Sequence, residues 1–162
     1  MQLTLVGSCT TAAARTRPVP DGYLLRGLRQ SDEAGLARLY HAAYPPEIVA
    51  GLPAAVEEMA LTFSGEYGRL AFGLSCVTER QGALVSAILT VEQAPWPLTP
   101  EGPFVIEVIT GPDHRRRGLA QAGLAWVALA ALERGQSRLG LRVESENHGA
   151  VALYRNMGFS EW

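Results

Sequence analysis

Arg115-Arg116-Arg117-Gly118-Leu119-Ala120 lies between an apolar run, Phe104 to Thr110, and an Ala/Leu-rich stretch of helical pattern, Leu119 to Arg134. A Gly-containing turn that ends a buried strand and opens a helix leaves backbone N–H groups unpaired, with the helix dipole behind them. Gly118 lets a ligand approach the backbone closely, and Ala120 keeps the first turn slim. The three arginines add charge-assisted contacts to phosphate oxygens. Adjacent arginines are more often a solvated face or a nucleic-acid patch. Their position at a strand–Gly–helix junction favours a pyrophosphate loop.

Working outward, Val105 to Thr110 is nearly continuous apolar, as in a strand covered on both faces, and Glu107 interrupts it. Leu139, Leu141 and Val143 alternate with Gly140, Arg142 and Glu144, the pattern of a half-buried strand. Asn147 can cap a helix carrying Val151, Tyr154 and Arg155, which Gly158 ends. Upstream, Leu70 to Thr78 and Ala83 to Val91 read as strands joined by a tight turn at Gln81-Gly82. Ala94 to Gly102, rich in proline, reads as a loop. Tyr23 to Arg26 predicts a first strand, and Ser31 an N-cap for a helix bearing Leu36, Leu39, Tyr40 and Ala43. A further helix is expected between Pro53 and Phe63, with Val56, Met59 and Ala60 on one face. Gln2 to Val6 predicts a short edge strand, and Thr10 to Pro20 a linker. The expected division is therefore a strand and linker segment, 1–20, and one mixed α/β sheet domain, 21–162.

At 162 residues the chain is long enough to bury a core, and 48% hydrophobic with 19% charged residues is ordinary for a globular protein. A net charge of −2 argues against a broad electrostatic grip on nucleic acid. Cys9 and Cys76 lack metal-ligand spacing, and no metal site is visible. A reduced, cytoplasmic protein is the economical reading. No apolar stretch approaches the length that spans a bilayer, and Val6-Gly7-Ser8-Cys9 lacks the basic and apolar regions of an export signal.

Two blocks together carry a family resemblance. Arg115-x-x-Gly118-x-Ala120 is similar to the coenzyme loop of the GNAT superfamily of acyl-CoA-dependent N-acetyltransferases. Asn147, Ala150, Leu153, Tyr154, Gly158 and Phe159 match that family's second signature, at the family's separation from the first. The resemblance covers Tyr23 onward and is strongest from Val105. It implies a GNAT-type mixed central β-sheet flanked by helices, with C-terminal strands shortened, because the chain stops soon after Gly158-Phe159. The edge so left needs cover, from Met1 to Gly7 or from a second subunit of a homodimer. It also implies acetyl-CoA as co-substrate. Val108, Ile109 and Thr110 would present backbone groups to the pantetheine arm. Arg115, Arg116, Arg117, Gly118, Leu119, Ala120 and Gln121 would form the loop and helix start at the pyrophosphate, and Asn147 would contact the coenzyme. Tyr154 would point its hydroxyl at the sulfur.

Acetyl transfer to an amine requires a neutral nucleophile, stabilisation of an oxyanion, and a proton for the departing thiolate. Tyr154 suits the last role, although a lone helix tyrosine is ordinarily core with a wet hydroxyl. Glu107 is the candidate base, since a carboxylate in a strand fit for burial must be paired, hydrated or catalytic; Glu144 is the runner-up. Glu107 could equally bind a cationic acceptor without taking a proton. His41 and His114 show no evident partner in the sequence. Acceptor determinants are expected in Tyr40 to Phe63 and near Trp96. The expected function is an N-acetyltransferase acting on a primary amine by direct attack in a ternary complex. A non-catalytic acyl-CoA-binding regulatory module is the alternative.

Overall fold

The computed structural model describes residues 1–162. One seven-stranded mixed sheet runs through the chain in the order β2-β3-β4-β5-β6-β1-β7. The strands are β1 (Gln2–Ser8), β2 (Leu24–Gly27), β3 (Cys76–Arg80), β4 (Ala83–Val91), β5 (Phe104–Thr110), β6 (Arg138–Glu144) and β7 (Phe159–Glu161). The helices are α1 (Cys9–Ala14), α2 (Glu33–Ala43), α3 (Leu52–Ser64), α4 (Leu119–Glu133) and α5 (His148–Asn156).

The expected α/β sheet is present, and local chemistry accounts for much of it. Gln81 and Gly82 both take positive φ, 51° and 79°, the backbone of a two-residue hairpin turn between β3 and β4. Asn147 Oδ1 accepts from the Ala150 N–H at 3.2 Å and caps α5, while Gly135 and Gly158, at φ 77° and 90°, follow the ends of α4 and α5. A core of 21 buried residues joins α1, α4 and α5 to the sheet through Leu5, Leu124, Leu139, Leu141 and Phe159. A second core of ten lies under α2 and α3, around Leu36, Met59, Val77 and Leu89.

Several elements depart from expectation. β1 is an interior strand, antiparallel to both β6 and β7, so it covers the β6 edge and gives β7 its only pairing. A seven-residue strand cannot show from its own residues where in a sheet it will insert. Thr10 to Pro20 is only partly a linker: Ser8 Oγ accepts from the Thr11 N–H, and α1 follows, burying Cys9 and Ala12. Ser31 does not cap α2. It sits in a 3-10 turn, Gln30–Asp32, whose Asp32 carboxylate instead accepts from the Arg29 N–H and pairs with Arg26 at 2.8 Å. On α3 the buried positions are Ala55, Met59 and Thr62, while Val56 and Ala60 face solvent. Leu70 makes a single bridge to Val91, and a 3-10 turn at Phe72–Leu74 delays β3 to Cys76.

Candidate functional site

β5 is antiparallel to β4 and parallel to β6, but it meets β6 only at Phe104 and Val105. A register shift opposite Leu89/Thr90 gives β5 an extra residue, so Leu89 faces Glu107 while Thr90 faces Val105. Beyond that bulge β5 and β6 no longer pair. They open a cleft of about 950 Å³ lined by Val105 to Thr110 on one side and Leu141 to Glu144 on the other.

The loop and the start of α4 close one end. Arg116 adopts φ 61° and Gly118 φ 77°, two left-handed residues that turn the chain sharply into the helix. No backbone N–H from Arg115 through Gln121 finds an acceptor in the chain; the first bonded amide is Ala122, to Gly118 O at 3.0 Å. This run of free donors at a helix start is what a phosphate requires. The three arginines behave differently. Arg115 is clipped to the Thr110 and Ala43 carbonyls at 3.1 and 2.9 Å, Arg117 leans to Asp113 O, and Arg116 makes no hydrogen bond. Arg115, Arg116, Gly118, Leu119, Ala120, Gln121 and Asn147 line the cleft, as do Val108, Ile109 and Thr110; Arg117 does not.

The other expected groups share the same cleft. The Tyr154 ring is buried and tilts against Phe159 at 6.0 Å between centroids, while its hydroxyl makes no hydrogen bond within the chain. Burial, and secondarily the Glu107 charge, raise its pKa to about 12. Glu107 accepts a short hydrogen bond from the Tyr44 hydroxyl. Burial raises the Glu107 pKa to about 7, with Glu58 adding to the rise and Tyr44 opposing it. Tyr44 itself is shifted upward by burial and then by Glu107, so it stays a donor. A carboxyl poised near neutrality and a phenol that holds its proton are the kinds of group that acid–base chemistry requires.

Tyr44 and Arg17 are among the lining residues that carry no motif. Tyr44 lies in the Tyr40 to Phe63 region expected to face the acceptor, and Arg17 comes from the segment read as linker. His114 does have a partner: its Nδ1 lies 2.9 Å from the Tyr23 hydroxyl, which in turn accepts from Arg80 at 3.0 Å. Glu144 also lines the cleft; its Oε1 accepts from the Gln2 amide at 3.4 Å, and it is more exposed than Glu107. No helix is long and apolar enough to cross a membrane, and no group of three or more His, Cys, Asp or Glu residues could hold a metal ion.

A bulged strand parting from its parallel neighbour above a turn of free amides gives this α/β protein one cleft with unpaired N–H donors at its end. The chain belongs to the acetyltransferase (GNAT) family, whose model matches residues 35–159. Over 57 residues it is 35% identical to the ribosomal protein bS18-alanine N-acetyltransferase of Escherichia coli, covering 35% of this chain and 38% of that one. A GCN5-related N-acetyltransferase from Sphaerobacter thermophilus superposes with TM-score 0.70 at 20% identity, over 99% of this chain and 48% of the other. An aminoglycoside N-acetyltransferase solved with CoA gives TM-score 0.64 at 16% identity, over 90% and 91% of the two chains. The chain thus spans less than two thirds of the E. coli relative and of the Sphaerobacter protein.

Proposed function

We propose that this protein transfers an acetyl group from acetyl-CoA to a primary amine by direct attack in a ternary complex. The observation that carries the reading is the meeting, in one cleft, of the free amides from Arg115 to Gln121 with Glu107 and Tyr154. Acetyl-CoA supplies the activated acetyl group. The α4 turn and Arg116 would hold its phosphates, Val108 to Thr110 its pantetheine arm, and Asn147 its far side. Tyr44 keeps the ionised Glu107 oriented, and Glu107 takes a proton from the acceptor nitrogen as the N–C bond forms. Tyr154 gives its hydroxyl proton to the sulfur as the C–S bond breaks.

The acceptor is proposed to be an amine that is cationic in solution and attacks as its neutral form, because the Glu107 carboxylate lines the cleft beside the Tyr44 hydroxyl. A cytoplasmic location fits the two buried, free cysteines. The family match begins at residue 35; the catalytic domain is proposed as 21–162, with residues 1–20 contributing β1 and α1 to its sheet and core. Thiol release from acetyl-CoA with a panel of amines tests the activity. Turnover that fails for every amine while acetyl-CoA still binds would instead favour a non-catalytic acyl-CoA-binding module.

A further inference from the structure

Residues 15–19 run across the start of α4 and are fastened on both sides of Arg17. Before it, the Gln121 side-chain amide donates to Arg15 O at 2.8 Å. After it, Val19 packs on the cluster of Tyr23, Val85 and Leu119. Between these anchors the Arg17 side chain lies on the face of Gly118: a Cβ placed on that glycine would stand 2.5 Å from both Cδ and Nε. Arg17 lines the cleft beside Arg116, yet it forms no hydrogen bond and none of the six ion pairs includes it. A long cationic side chain ordinarily drifts in solvent or finds a carboxylate. Here the backbone on both sides is fixed and the guanidinium is left without a partner over unpaired amides.

We propose that Arg17 is a phosphate ligand for the coenzyme, supplied by the N-terminal segment from outside the residues that match the family. This rests on the acetyl-CoA reading above. The planar guanidinium fork can engage two oxygens of one phosphate, which the backbone amides of the turn leave free on their outer side. The chain contains no lysine, so arginine is the only side-chain cation it can aim at a phosphate besides histidine. Gly118 is required twice over: its left-handed φ turns the chain, and its missing side chain leaves room for Arg17.

The test is equilibrium binding, read without turnover. CoA and 3′-dephospho-CoA are titrated calorimetrically, and pantetheine, which carries no phosphate, by NMR, into wild type, Arg17→Ala and Arg17→Lys. Far-UV circular dichroism checks that each variant is folded. The expected result is about tenfold weaker CoA binding by Arg17→Ala, partial recovery in Arg17→Lys, and unchanged pantetheine binding. An equal loss with dephospho-CoA places the contact on the pyrophosphate, and a loss confined to CoA places it on the 3′-phosphate; either supports the assignment. The proposal is overturned if Arg17→Ala binds CoA as tightly as wild type, or if pantetheine weakens equally. Wild type that binds no CoA would remove the acetyl-CoA reading itself, and this assignment with it.

Discussion

The Tyr154 ring is buried against Phe159 in the larger core, while its hydroxyl opens on the cleft with no partner in the chain. Removing that oxygen therefore deletes no internal hydrogen bond. Tyr154→Phe is expected to leave thermal stability within about 0.5 kcal/mol of wild type while lowering kcat at least a hundredfold, with acetyl-CoA affinity retained. A melting curve and steady-state kinetics on one preparation check both halves. Glu107 behaves oppositely, because its charge is unfavourable where it sits. With a folded pKa of about 7 against an ordinary 4.5, the folded state holds the proton through a pH range in which the unfolded chain has lost it. Stability contributed by this group is thus present at low pH and is lost as pH rises from about 4.5 to about 7. Activity should run the other way, rising through pH 7 as the base is freed. Glu107→Gln should abolish the rising limb of the pH–rate profile and add roughly 2 kcal/mol of stability at pH 8. An unchanged rising limb in that variant would remove Glu107 as the base.

At the scale of elements, the site is made by a strand that loses its neighbour and a helix that begins abruptly. The β5 bulge turns Glu107 to the side of Ile109 and the Tyr44 hydroxyl, while Val105 and Val108 pack with the core around α4. The left-handed pair Arg116 and Gly118 frees the amides that follow. Gly118→Trp is expected to abolish acetyl-CoA binding in calorimetry, since an indole would need a strained backbone and the space that Arg17 fills. Saturable binding by a folded Gly118→Trp protein would move the coenzyme elsewhere. The turn and α4 were legible in the residues because glycine at a strand–helix junction is a local demand. The exposed Val56 and Ala60 of α3 were not. Periodicity places apolar residues on a helix face, but the packing of α3 against its neighbours selects the stripe through Ala55, Met59 and Thr62.

For the whole molecule, the decisive feature is the insertion of β1 between β6 and β7. Leu5, Cys9 and Ala12, each 0% exposed, join the large core from a segment with no family motif. A variant starting at Pro20 would lose these residues, bare the β6 edge from Arg138 to Glu144 and leave β7 unpaired. It is expected to be insoluble or to melt far below the full chain, and also to lack Arg17. A truncated protein as stable as the full chain in thermal denaturation would show that β1 is dispensable. By itself the sequence determined the α/β class, the glycine turn into α4, the caps of α4 and α5, and the candidates Glu107 and Tyr154. Those follow from residues within a few positions of one another, where glycine, asparagine and periodic apolar side chains act locally. Only the tertiary structure decided that β1 lies inside the sheet, that Tyr44 engages Glu107, that Tyr23 partners His114, and that Arg17 rests on Gly118. Each joins positions distant in the chain, and such contacts are set by how faces and strand edges are buried together, which no short stretch of residues encodes.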